Sequence, residues 1–433
     1  MASSTDLTQT HAERLIGLTI QSTWLLWLVG GLYLAGPALG WILALIAAWE
    51  LYIAPLRKVS QRARPVPWPV QLWCLSMMVM LLVLWAGHAN FHSGIAQTVK
   101  SSVGWAKGWA LIAAFIFAGA VLPVRQQIIF HAAGRLGVQS LCVLPLFILA
   151  PFIGLPETLW VSPLQILGGS GPEYFSVTLF TLEPGAGTPR WQFFAPWSPA
   201  IGMVAVIHTF LSARADNPKL RTAGVVAGLA FVLLSQSRLA LVALIVIMAV
   251  LFVIRRLSRP ELWFTGVPLA LLAGFMASGL IRFTGSVAHD FSSARADSSR
   301  VREILGRLAL DRWQTEAPWF GHGMVENGPH LVEYMPIGSH HSWYGLLFVK
   351  GITGAVALAV PLAVTMIILG REVLLHRRCQ TGFVMILVIL IYSFGENIEM
   401  LAYLTWPAWF MTGCALGKAD QDRTSEMIEK NDK

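Results

Sequence analysis

The sequence predicts an all-α membrane protein with about twelve transmembrane helices. Three observations carry this reading. Hydrophobic residues make up 55% of the 433-residue chain and charged residues only 12%. Apolar runs of bilayer-spanning length recur along the chain, and Lys and Arg gather in every second junction between them. A soluble domain carries roughly 25% charge, so a water-soluble protein of this size could not cover its surface with so few charged groups. The mean hydropathy of +0.62 agrees. The same composition excludes a disordered chain, and 4 Cys exclude a small disulfide scaffold. A net charge of +8 would suit nucleic acid if the basic residues were clustered. They sit instead in short loops between apolar runs, which orients a membrane protein and builds no groove for phosphodiesters.

About 20 apolar residues cross a bilayer as a helix. Runs of that kind lie near 15–33, 36–54, 70–88, 104–123, 137–155, 194–212, 221–236, 238–254, 263–281, 342–369, 380–395 and 400–417. The stretch from Leu15 to Ala54 is too long for one helix, and Gly30, Gly31, Gly36 and Pro37 supply the turn that splits it. The stretch from Thr222 to Ile254 is split by the polar Ser235-Gln236-Ser237-Arg238. No cleavable signal peptide is expected, because the first apolar run lacks a small-residue cleavage site and leads into a second.

Basic residues then set the orientation. They are Arg57, Lys58, Arg62 and Arg64; Arg125 and Arg135; Arg214, Lys219 and Arg221; Arg255, Arg256 and Arg259; and Arg371, Arg377 and Arg378. Every second loop is basic, which puts these loops and both termini in the cytoplasm. The chain divides accordingly. Residues 1–281 hold nine helices and an outer loop at 156–193, and 282–341 form a long extracytoplasmic loop between helices nine and ten. Residues 342–417 hold the last three helices, and 418–433 form a cytoplasmic tail. Within the long loop, Ser299 to Glu316 reads as an amphipathic helix, capped by Asp297 or Ser298, with Val301, Ile304, Leu305 and Leu308 on one face. Cys74, Cys142, Cys379 and Cys414 fall in spans or on the cytoplasmic side, so no structural disulfide is expected.

Several ionisable groups stand where the positive-inside pattern does not place them. Arg190 precedes the sixth helix, and Arg238 lies in the tight outer turn between the seventh and eighth. His340 and His341 stand at the outer mouth of the tenth helix. An Arg at membrane depth is costly unless it is paired or faces water, which makes it a functional candidate; snorkelling to a lipid phosphate is the bland alternative. Cationic sites grouped at one face favour a shared anionic ligand, and the planar fork of Arg suits a diphosphate. His is the one side chain that is a neutral base near pH 7 without special tuning, although a structural hydrogen bond is its commoner role. Glu396 and Glu399, in an outer turn, either pair with the arginines, touch a sugar or cap a helix. A metal site involving His322 and His330 is disfavoured, since no paired-ligand spacing is present.

These residues resemble the O-antigen ligase and polymerase superfamily. The resemblance runs through Gly321-His322-Gly323 after the amphipathic helix, then Ser339-His340-His341-Ser342-Trp343-Tyr344, then Gly351-Ile352-Thr353-Gly354 inside the next helix. Ser237-Arg238 is similar to the family's Ser-Arg before a long apolar helix, and Arg190 with Pro196 and Pro199 to its Arg before a Pro-containing helix start. Counting back from Gly351 and Gly354 places the family's His on His340. His341 stands where the family usually has Asn or Ser, and Trp197-Ser198-Pro199 replaces the usual Asn-Pro-Asn.

The resemblance implies a GT-C-like inverting glycosyltransferase in a bacterial inner membrane, acting at the periplasmic face. Its donor would be a glycan on undecaprenyl diphosphate. Its acceptor would be either a second lipid-linked repeat unit, for a polymerase, or the lipid A-core, for a ligase. Arg190 and Arg238 would bind the diphosphate, and His340 would be the catalytic base. His341, Glu396 and Glu399 are secondary candidates. Two guanidinium groups can stand in for a divalent cation, and the first outer turn, Gly30 to Pro37, has no acidic residue. No metal and no cofactor are therefore expected. Membrane lipid is the remaining partner, and nucleic acid is not one. The alternative function is a polytopic transporter or lipid-linked glycan flippase, which would show repeated halves and ionisable residues near the bilayer midplane. A cell-wall glycan polymerase would show an outer-loop Asp in place of the His.

Overall fold

The computed structural model describes residues 9–53, 66–169, 171–183, 187–256, 296–376 and 379–431. Helices α1 (His11–Gln21), α2 (Thr23–Leu28) and α3 (Leu32–Ala48) open the chain, and α3 runs on into a π turn at Trp49–Ile53. Then come α4 (Trp68–Asn90), α5 (Gly94–Lys107), α6 (Trp109–Val121) and α7 (Gln126–Leu149). After a loop follow α8 (Ser198–Ser212), α9 (Pro218–Leu234), α10 (Arg238–Arg256) and α11 (Ala296–Glu316). Helices α12 (Ser342–His376), α13 (Gln380–Tyr392) and α14 (Ala402–Asn431) close the chain. The protein is mostly helical, as an all-α membrane protein should be. Each apolar stretch contains a helix except 263–281, which lies outside the described residues, as do Arg57, Lys58, Arg62, Arg64, Arg259, Arg377 and Arg378.

By length and apolarity, 6 helices among the described residues can cross a membrane. They are Leu32–Ile53, Trp68–Asn90, Gly94–Val121, Gln126–Leu149, Arg238–Arg256 and Ser342–Leu375. The count of twelve is therefore not reached on these criteria. The first stretch is split at Ser22, while α8 and α13 are apolar but short, at 15 and 13 residues. The segments before α8 and after α13 are largely buried in protein, which is where non-helical backbone at membrane depth is tolerated.

Several local expectations are corrected. Gly36 and Pro37 lie inside α3, and only Gly30 and Gly31 form the turn. Arg135 lies within α7, where it donates to Gln21 Oε1 at 3.1 Å, because that helix starts at Gln126. Asp297 and Ser298 fall inside α11, after its first described residue, Ala296. The loop at 156–193 carries two small antiparallel sheets. One pairs β1 (Thr158–Val161) with β2 (Ser176–Thr178), the other β3 (Thr181–Leu182) with β4 (Pro189–Arg190). All four cysteines are free.

Small residues bring the helices together, as expected where lipid removes the hydrophobic drive between helices. Helix α14 packs most extensively on α6. There Gly413 and Gly417 lie on Ile116 and Ala120, and Gly119 on Phe410; a Cβ at Gly119 or Gly413 would stand 2.1 Å from a backbone oxygen. Gly224 and Gly228 of α9 lie on Ser212 and Thr209 of α8 in the same way, and Gly137 of α7 meets Gly224. Lipid-type surface remains on α10, where Leu241, Val242, Ile245, Met248 and Phe252 are exposed. At the basic end, Glu13 is 2% exposed and accepts from Arg125 N, Nε and Nη2 at 2.8–2.9 Å, tying α1 to α7. Arg214 and Arg255 meet at that same end. The long loops and the candidate residues lie at the other.

Candidate active site

At the loop-bearing end α12 is broken. Gly351 has φ 60° and ψ −166°, so two helical segments meet there. The resemblance placed this glycine inside a helix; it ends one and starts another. A break frees backbone groups that must find other partners. The segment 318–323 supplies them. His322 N donates to Phe348 O, Gly323 N to Val349 O and Ile352 N to Pro318 O, all at 2.9 Å. The two backbones approach so closely that side chains are excluded. A Cβ on Gly351 would lie 2.4 Å from Trp319 C and O, and one on Gly321 would lie 2.4 Å from Lys350 N. Gly321-x-Gly323 and Gly351 are two halves of one joint.

Its surroundings lock it. The His322 ring stacks on Phe348 with centroids 4.3 Å apart. Its Nδ1 is 3.0 Å from Phe348 O and its Nε2 is 2.7 Å from Glu316 Oε2. Arg312 of α11 donates to both Glu316 and Glu326. Hydrogen bonds from Arg312 and His322 hold the Glu316 carboxyl down at about 2. His322 is therefore a structural residue. His330 is exposed, with its ring against Tyr334.

The joint sets the start of α12 against the turn 393–401 between α13 and α14. Ser342 N donates to Ser393 O at 3.0 Å; Ser342 Oγ donates to Glu396 O at 2.7 Å and accepts from Ile398 N at 3.0 Å. Trp343 Nε1 donates to Ser393 Oγ at 3.0 Å. Glu396 is 1% exposed. Its Oε2 accepts from Trp197 Nε1 at 2.9 Å, while Oε1 is buried with no hydrogen-bond partner among the described residues. Burial pushes this carboxyl up to about 7, against the opposing pull of Arg302 and Trp197. Tyr392 lies against Ser237 and within electrostatic range of Glu396.

The two histidines divide. His341 Nδ1 accepts from Tyr344 N at 3.3 Å, and its ring stacks on Tyr344 at 3.8 Å, so it caps and packs the first turn of α12. His340 is half-buried and holds a left-handed backbone, φ 60°, which costs a non-glycine residue about 1–2 kcal/mol. Burial, with Arg302 beside it, pushes its imidazole down to about 4. It is therefore neutral at pH 7.

Arg190 sits on β4 and its Nη2 donates to Ser235 O at 3.5 Å; Gln236 Nε2 donates to Pro189 O at 3.4 Å. These contacts bring Arg190 to the turn from which Arg238 starts α10. Ser237 of that turn packs on Gly202 of α8, and Leu239 packs on Gly395. Four distant stretches thus meet: 190–197, 235–239, 340–342 and 393–398. Glu399 lies apart from Glu396. Its carboxyl is also raised to about 7 by burial, against its own backbone amide, Asn397 and Lys350, and its backbone faces Gly108. Sequence reasoning missed Trp197, Arg302 and Ser342. Ser342 was signalled only as a helix start, and Arg302 only as one charge on an amphipathic helix. Among the described residues, no three His, Cys, Asp or Glu side chains stand close enough to hold a metal ion.

Residues 223–358 match the model of the O-antigen ligase family. This part of the chain is an O-antigen ligase family domain. Among curated proteins, none shows significant similarity to the chain. The ligase domain contains Arg238, Arg302, His340 and the Gly351 joint, whereas Arg190, Trp197 and Glu396 come from outside it. Tertiary packing adds them to it. The match supports, at family level, a glycosyltransferase-type membrane enzyme that ligates or polymerises glycans, with lipid-linked glycan and polysaccharide or lipid A-core as the general partner classes.

Proposed function

We propose that this enzyme is an inverting, metal-independent glycosyltransferase of a bacterial inner membrane. Its loop-bearing end faces the periplasm, with both termini in the cytoplasm. The donor is a glycan on undecaprenyl diphosphate, and the acceptor is a hydroxyl of a lipid-linked repeat unit or of the lipid A-core. The observation that carries the reading is the meeting of Arg190 and the Arg238 turn at the same end as the neutral His340. The acceptor oxygen attacks the anomeric carbon as the bond to the diphosphate oxygen breaks. The leaving group takes the electron pair, and Arg190 and Arg238 stabilise its charge as preorganised donors. The hydroxyl proton passes to His340. In the free enzyme His340 is a weak base, but the negative charge of a bound diphosphate raises an imidazole pKa and so strengthens it when the donor is present.

The test uses purified protein in lipid nanodiscs, undecaprenyl-diphosphate-linked glycan and excess EDTA, with lipid A-core or further lipid-linked glycan as acceptor. Transfer should persist in EDTA, and Arg238→Lys should lose it nearly as fully as Arg238→Ala, because a point charge does not copy a bidentate fork. Near wild-type transfer by Arg238→Lys refutes the clamp. Loss in EDTA with rescue by magnesium refutes metal independence.

A further inference from the structure

The most informative group outside this mechanism is Glu396. The residue stands where the starts of α8, α10 and α12 converge: its carboxylate meets Trp197 and lies within electrostatic range of Tyr392, which is against Ser237, while its backbone carbonyl accepts from Ser342 Oγ. Charged and titratable groups around it are Arg302 of α11, Tyr392 of α13 and His340 beside Arg302. Burying a carboxylate oxygen without a partner is costly, and a native protein does not carry that cost idly. One oxygen is pinned by an indole that only donates; the other is buried and unpaired.

We propose that Glu396 Oε1 is a sugar-recognition acceptor: it takes a hydrogen bond from a glycan hydroxyl and orients that sugar beside His340. The inference rests on the glycosyl-transfer reading above. The chemistry of the ligand follows from the charge. Above pH 7, where Glu396 is ionised, its carboxylate repels the diphosphate, so its partner is a neutral donor, and a glycan offers hydroxyls. The hydroxyl belongs either to the acceptor sugar or to the donor sugar.

The fixed polarity of Trp197 gives a sharp test. In Glu396→Gln the amide must turn its carbonyl toward the Trp197 N–H, so its NH2 faces the sugar, a donor where an acceptor is needed. Removing the indole donor with Trp197→Phe frees the amide to flip and present its carbonyl. Transfer by each variant is compared in nanodiscs well above pH 7, where Glu396 is ionised, per mole of monodisperse protein, with undecaprenyl-diphosphate-linked glycan and lipid A-core varied separately. Glu396→Gln should lose about 10- to 100-fold in kcat/KM, the scale of a hydrogen bond to a charged group. The double variant should exceed Glu396→Gln in transfer. A rise confined to the KM of one substrate assigns the hydroxyl to that sugar. Wild-type transfer by Glu396→Gln, or a double variant no better than Glu396→Gln, overturns the proposal. Glu396→Asp, which keeps the charge but withdraws it by one methylene, should fall between wild type and Glu396→Ala; equality with wild type also overturns it. Failure of wild-type protein to transfer at all would instead strike the glycosyl-transfer reading.

Discussion

Replacing Gly351 with Ala tests whether the joint between α12 and segment 318–323 organises the site. The backbone at φ 60°, ψ −166° is open to glycine alone, and holding an alanine there costs about 1–3 kcal/mol. The new methyl would stand 2.4 Å from Trp319 C and O, which are backbone atoms that cannot swing away. Overpacking of this kind costs about another 1–3 kcal/mol. Together the substitution removes about 2–6 kcal/mol from the joint, and at 1.4 kcal/mol per tenfold even the lower figure is about 30-fold in local opening. The assay is amide hydrogen exchange in detergent or nanodiscs, read at His322, Gly323 and Ile352, whose N–H groups bridge the two segments. Protection there should fall at least about 30-fold, and glycan transfer should fall with it, because the same joint seats the start of α12 beside Glu396. Gly104→Ala is the control. Nothing lies within 4 Å of its added Cβ, and in a helix interior the change stabilises by about 0.5–1 kcal/mol. Unchanged protection and unchanged transfer in Gly351→Ala would refute the joint.

Other outcomes follow from the site. His340→Ala should abolish transfer while donor binding persists, whereas His341→Asn should keep substantial activity, because an Asn retains a capping acceptor for α12; glycan products on gels at matched protein levels decide, and the reverse pattern would move the base to His341. Glu396 is raised from 4.5 to about 7, so its native state holds a proton that the unfolded chain has released, and that share of stability is lost as pH rises between those values. Glu396→Gln should therefore flatten the decline in unfolding temperature from pH 4.5 to 7, and identical slopes would refute the raised pKa.

The amino-acid sequence by itself determined the solvent of this protein and picked out the candidate residues that gather at one end of it. Apolar runs, basic junctions and arginines outside them are properties of single segments, so a one-dimensional reading finds them. The short motifs around Arg190, Arg238 and His340 were legible for the same reason. Where one helix stops was decided by what packs on its end: Gly36 and Pro37 stayed helical, while Gly351 broke a helix because another backbone was there to take its hydrogen bonds. The count back from Gly351 favoured His340 over His341, and the tertiary structure supplied a physical difference between them, since stacking on Tyr344 commits one ring while burial, with Arg302 beside it, depresses the other. The roles of Trp197, Ser342 and Arg302 were invisible in the chain, and Glu396 was one carboxylate among several. A buried acceptor is defined by which of its oxygens is already satisfied, and that depends on an indole 199 residues away in sequence.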